Sequence, residues 1–275
     1  MIAVRGVILL GLATILSAAC GSAGDETSPL GATASPASTP ADRVYLLEQI
    51  GDAAVVQLYA DGFNTLGLRE KTLIWHLYKA ALAGRDIYYD QRYAHNLEMR
   101  EVLEEILTNA DGIDLDTLTA VERYTKLFWI NTGPFNNLTA RKFVVDTSPQ
   151  AFAVAARAAA NAGARFPLKN GETLDVMLAR MEPLFFDTDF ETIVTNKTPG
   201  AGEDILLASA NNLYDGVSMA DLVGFDEQYP LNSRLVKRDG QLSEEVYRIN
   251  HGGRYVEQIE KIVSHLEAAV PHATE

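Results

Sequence analysis

The chain has 275 residues, 47% of them hydrophobic, which is enough to bury the core of one ordinary domain. A formal net charge of −14 argues against nucleic acid or an anionic membrane surface as a partner, since both require a basic footprint. The single cysteine, Cys20, excludes any internal disulfide.

Residues 1–20 read as a processing signal. Arg5 supplies a positive start, residues 7–15 an apolar core too short to remain as a membrane span, and Leu16-Ser17-Ala18-Ala19-Cys20 a small-residue cleavage site. This ending looks like a bacterial lipobox with Cys20 as the lipidated residue. The expectation is a lipid-anchored protein of the bacterial cell envelope, facing the periplasm or the outside. Residues 21–41, rich in Gly, Ser, Thr, Ala and Pro, read as a flexible linker to a folded body over residues 42–275.

That body reads as α+β, predominantly helical, with a late β-hairpin. In residues 66–97, Leu73, Ile74, Leu77, Ala81 and Leu82 recur at helical spacing and are expected to share the buried face. Gly84 is expected to end that helix, since a residue without a side chain adopts the left-handed cap cheaply. Arg85, Asp86, Asp90 and Gln91 would then tie a polar passage to its neighbours by hydrogen bonds.

Residues 96–109 predict a second helix, with Leu97, Val102, Leu103, Ile106 and Leu107 inward. Asp116 is a candidate cap for a helix through residue 130, with Leu118, Val121, Thr125 and Phe128 on one face. Ser148-Pro149 opens an alanine-rich helix that Gly163 closes. Residues 173–181 predict another, stopped at Pro183, and residues 203–210 and 218–223 two short ones, the latter with Ser218 and Asp221 as a capping box. Residues 234–237 and 245–249 flank Asp239-Gly240 as a hairpin. A last helix spans residues 255–269, with Ile259, Ile262, Val263 and Leu266 inward, before Pro271.

Chemistry is sparse. The histidines at 76, 95, 251, 265 and 272 form no H-E-x-x-H pattern, and His265 and Glu267, two apart on a helix, point to different faces. His76 reads as a packing or surface residue. No metal set, no G-x-S-x-G nucleophile and no phosphate loop is legible, so no residue is assigned a catalytic or metal-binding role. Two asparagine-rich loops remain. Residues 131–138 (NTGPFNNL) follow an aromatic helix, and asparagine amides both donate and accept, as binding a peptide backbone requires. Asn131, Phe135, Asn136, Asn137 and Leu138 are therefore the candidate substrate-binding residues, although the same residue types also form turns. Residues 210–214 (ANNLY) raise the same question.

The pattern L-x-L-x-x-K-x-L-I-x-x-L-x-x-A-A-L-x-G-R-D-I-x-x-D-Q at residues 66–91 resembles the N-terminal lobe of the dipeptidyl peptidase III family of zinc metallopeptidases, family M49. The resemblance returns at residues 124–143 (YTKLFWINTGPFNNLTARKF), 205–214 (ILLASANNLY) and 229–266. It implies the N-terminal part of a two-lobed metallopeptidase that removes dipeptides from the N-termini of short peptides. It also implies zinc, held by two histidines of H-E-x-x-x-H and a distant glutamate, for the full-length family member. By the same match Leu138 stands where the family often places a cleft-facing aromatic. None of the zinc motif is in this chain, which holds no cofactor site of its own and is expected to be inactive alone. Two readings follow: a portion of such an enzyme, or a non-catalytic lipid-anchored lipoprotein that binds peptides or another partner.

Overall fold

The computed structural model describes residues 43–250 and 252–274. The signal, the lipidation site at Cys20, the linker over residues 21–41, Asp42 and His251 lie outside the described residues. Among those described, the fold is α+β and predominantly helical, with β1 (Leu46–Ile50), β2 (Ala53–Val56), α1 (Leu68–Arg92), α2 (Asn96–Thr108), α3 (Leu115–Asn131), α4 (Pro149–Ala162) and α5 (Leu174–Phe186), followed by β3 (Tyr214–Asp215), β4 (Ser233–Arg238), β5 (Gln241–Val246) and α6 (Val256–Ala269). A short 3-10 turn, Met219–Leu222, precedes β4, and another, Val270–His272, follows α6.

The core lies between α2, α3, α4 and α5. Met99, Val102, Leu103, Ile106, Val121, Phe128, Ala156, Met177 and Phe185 are sealed there. Each large apolar side chain removed from water contributes roughly 1.5–3 kcal/mol. The inward faces of α2 and α3 follow the periodicity of the sequence. The α3 cap does not: Asp114, not Asp116, accepts the Thr117 backbone N–H and hydroxyl, each at 3.0 Å. The Ser148 cap, Pro149 in the first turn and Gly163 in left-handed conformation bound α4 as expected.

Pro183 does not stop α5, which continues to Phe186. A proline interior to a helix costs about 3 kcal/mol through its missing donor, but Leu184 and Phe185 are buried and hold the last turn in place. Residues 203–210 are turns and not helix. The Asp204 carboxylate accepts the backbone N–H groups of Leu206 and Leu207, an alternative to helical bonding that short polar side chains offer.

α1 departs furthest from expectation. It runs unbroken through Gly84 to Arg92, so the polar passage is its last two turns. Its expected inward face is mostly in water, since Ile74, Leu77, Ala81 and Leu82 are exposed. The reason is α6, against which α1 chiefly packs. Ala80 is the buried residue of the middle turn, and a side chain begun at Gly84 would meet Ile262 Cδ1 at 3.3 Å. Small residues on this side let the two helices approach, and proximity overrides helix propensity at Gly84.

β4 and β5 pair antiparallel across Asp239-Gly240, both at positive φ as a two-residue turn requires. That turn fixes the register so that β5 begins at Gln241, earlier than expected, and β3 adds to β4 in parallel. The β1–β2 hairpin, turned at Gly51-Asp52, was not legible in the sequence, because its apolar residues do not alternate. It lies against α3, where Glu48 meets Lys126 at 2.7 Å.

Asp90 of α1 is buried and receives Arg254 at 2.9 Å and the Asn212 amide at 3.1 Å. Arg254 and Arg234 both reach Glu245, at 2.7 and 2.8 Å. Asp90 therefore ties α1 to the sheet and to the second asparagine loop, and Asp86 ties it to Arg100 at 3.0 Å.

Candidate functional site

The chain leaves α3 through two consecutive positive-φ residues, Thr132 and Gly133. Gly133 is required here. A Cβ at that position would lie 2.5 Å from Asn96 Oδ1, and the Asn96 amide is committed to the carbonyls of Tyr89 (2.9 Å) and Thr132 (3.0 Å). The loop then doubles back on itself, with Asn136 N–H donating to Arg141 O at 2.9 Å and Phe143 N–H to Pro134 O at 2.9 Å.

Asparagines shape its tip. Asn136 Oδ1 accepts the N–H groups of Leu138 and Thr139 at 2.9 and 3.0 Å. Asn131 Oδ1 accepts Asn137 N–H at 2.9 Å. Phe135 is sealed in the core, edge-on to Tyr93 at 5.1 Å. Leu138, by contrast, is 95% exposed. Phe135, Asn131 and Asn136 thus hold the loop, and Asn137 and Leu138 are what it presents.

They face a groove of about 640 Å³ between this loop, the end of α3 and the β1–β2 turn. Asn131, Asn136, Asn137 and Leu138 line it, and Phe135 does not. The sequence reading missed the other walls, which are the turn at residues 50–53 and the cations Arg123, Arg141 and Lys142. Nothing in their spacing announces them, because α3, the loop and the first hairpin meet only in the fold. Asp52 is the one carboxylate lining the groove, and Asp146 pairs with Arg123 at 3.7 Å from outside it.

Lys142 is nearly buried and donates to the carbonyls of Pro183 and Phe190 at 2.8 and 2.9 Å. Burial lowers its pKa to about 8, with Glu191 and Asp187 opposing the shift.

The loop continues into a polar seam. Lys142 N–H donates to Thr192 O and Val194 N–H to Ala140 O, while Ala210 and Asn211 N–H donate to Ile193 O and Val194 O. Residues 192–194 therefore join the two asparagine loops. Beyond the seam, Tyr93, His95, Glu191, Asn211 and Asn212 line a second cavity of about 280 Å³. Glu191 has φ of +51° and accepts the Tyr93 hydroxyl. Burial pushes the Tyr93 pKa up and the His95 pKa down, so both stay neutral at pH 7.

The zinc implied by the resemblance finds no three-ligand set here. Among the described residues, no group of three or more His, Cys, Asp and Glu side chains converges as a metal site. The described donors do not fit such a centre.

The class that fold and site define is an α+β, mainly helical domain with a polar groove framed by asparagine turns. No protein-family model matches the chain, and no curated protein sequence matches it. Among solved structures it is similar to DPP III from Caldithrix abyssi, with a TM-score of 0.37 and 18% identity over 77% of this chain and 29% of that one. The chain thus spans less than a third of that structure's length.

Proposed function

We propose that this chain is a peptide-holding portion of a dipeptidyl peptidase III-like zinc metallopeptidase, carried outside the inner membrane by a lipid at Cys20. The observation that carries the reading is the groove beside residues 131–138, whose asparagine-braced tip sets Asn137 and Leu138 against a wall containing Arg123 and Arg141. An extended peptide has amides for asparagine to meet, apolar side chains for Leu138, and carboxylates for the two arginines. The family resemblance at residues 66–91 and 124–143 supports the same reading. Release of dipeptides belongs to residues this chain does not contain.

The test is a titration of the purified chain with fluorescently labelled tri- to pentapeptides, read by anisotropy. Saturable binding is expected, weakened at least about fivefold in the double variant Asn137→Ala, Arg141→Ala, since a charged hydrogen bond contributes roughly 1.5–3 kcal/mol. An affinity untouched by those changes, or no saturation at all, would overturn the assignment. Incubated with zinc and a dipeptidyl substrate, the same chain is expected to release no product. Chelator-sensitive release would contradict that.

A further inference from the structure

His76 on α1 and His265 on α6 are 189 positions apart in sequence, and their Nδ1 atoms face each other at 3.3 Å. The rings lie 5.6 Å apart between centroids and are tilted by 43°, edge toward edge and not stacked. His272, in the 3-10 turn after α6, stacks with His76, the centroids 6.1 Å apart and the planes at 15°. All three rings are half-buried. Three imidazoles thus gather where α1 meets the last helix.

The spacing has a chemical meaning. Divalent zinc binds imidazole nitrogen at about 2.0–2.1 Å, and at the tetrahedral angle two such nitrogens stand about 3.3–3.4 Å apart. His76 and His265 already have that separation. We propose that they form a two-imidazole site for a borderline divalent ion of the Cu2+ or Zn2+ class, which clamps α1 to α6. Water completes the coordination, since among the described residues no third His, Cys, Asp or Glu joins a ligand set.

Without an ion, one Nδ1 must carry a proton and donate it to the lone pair of the other. With an ion, both Nδ1 lone pairs turn to the metal and both rings carry their proton on Nε2. The donating ring therefore changes tautomer, its proton leaving Nδ1 while solvent supplies one to Nε2, and the accepting ring keeps the tautomer it had, with no net proton gained or lost. Imidazole nitrogen selects Cu2+, Ni2+ and Zn2+ over hard ions such as Mg2+ and Ca2+. His272 fixes the plane of His76 by stacking, as a positioning residue. The clamp lies on the packing of α1 with α6, which also brings Gly84 against Ile262 and the Arg69 guanidinium to the Ala273 carbonyl.

The test uses the full chain without an affinity tag and with Cys20→Ser, so that no thiol competes. Titration with Cu2+ is followed by calorimetry and by electron paramagnetic resonance, and thermal unfolding is recorded with and without Zn2+. One saturable site is expected, its spectrum showing coupling to two nitrogens, with a rise in Tm that grows with Zn2+ concentration because the ion binds only the folded state. His76→Gln and His265→Gln are each expected to weaken Cu2+ binding at least about tenfold, and His95→Gln to leave it unchanged. Should either ligand variant fail to fold, the spectrum of the parent chain decides. No saturable binding below about 1 mM, coupling to fewer than two nitrogens, or equal affinity in folded variants would overturn the proposal.

Discussion

Lys142 holds its ammonium against two carbonyls in a nearly closed space, and that placement has a measurable pH signature. Its folded pKa is lowered to about 8, whereas an unfolded lysine keeps its proton to about 10.4. Between those values the unfolded chain binds more protons than the folded one, so this residue makes stability rise with pH across about 8 to 10.4. Below pH 8 both states are protonated and the contribution is flat. Lys142→Met removes the titration and leaves the Pro183 and Phe190 carbonyls without their donor. In urea unfolding, the stability difference between parent and variant is expected to widen by on the order of 1–3 kcal/mol from pH 7.5 to pH 10.5. A difference constant over that window would show that Lys142 does not titrate there. At this scale the sequence is a partial guide. Ser148 and Thr173 cap their helices because the signal and the bond lie within three residues. Lys142, Asp90 and Glu191 take their character from partners far along the chain, and no local pattern encodes those.

The helices that the sequence places best are those whose apolar stripe meets the main core. α2 and α3 bury the faces their spacing marks, because each has several large neighbours on one side. α1 carries apolar residues over much of its circumference, so periodicity alone does not choose a side, and the choice falls to α6 through Ala80 and Gly84. The same contact keeps Gly84 helical where local rules make it a terminus. Two substitutions separate these effects. Gly84→Ala gains about 1 kcal/mol of helix propensity and meets only the flexible tip of Ile262, so its net change is expected to stay within about 1 kcal/mol. Gly84→Leu forces a branched side chain into that contact and is expected to cost about 1–3 kcal/mol by overpacking. Denaturant midpoints measure both. Equal, small effects would mean that α6 does not press on α1 at this position. The loop at residues 131–138 was legible as a non-helical asparagine turn. The groove it borders was not, because two of its walls come from α3 and the first hairpin.

At the scale of the whole molecule, two opposed properties meet on one surface. The chain carries a net charge of −14, yet α1 exposes Ile74, Trp75, Leu77, Tyr78, Leu82 and Tyr88, all within about half of the helix circumference. Nearby in sequence, the first hairpin adds exposed Val44, Tyr45, Leu46, Leu47 and Val56. Like charge keeps copies apart over a distance that salt shortens, from about 30 Å at 0.01 M to about 3 Å at 1 M. Apolar burial is short-ranged and is not weakened by that screening. The isolated chain is therefore expected to be mostly monomeric at about 20 mM salt and to self-associate as salt rises to about 500 mM. Sedimentation velocity across that range makes the measurement. Trp75→Lys places a charge on the α1 surface, leaves the core untouched because Trp75 is exposed, and is expected to keep the chain monomeric at both ionic strengths. If the parent stays monomeric at high salt, α1 is stable in water as it stands. If Trp75→Lys associates like the parent, the contact lies elsewhere and the first hairpin becomes the surface to substitute next.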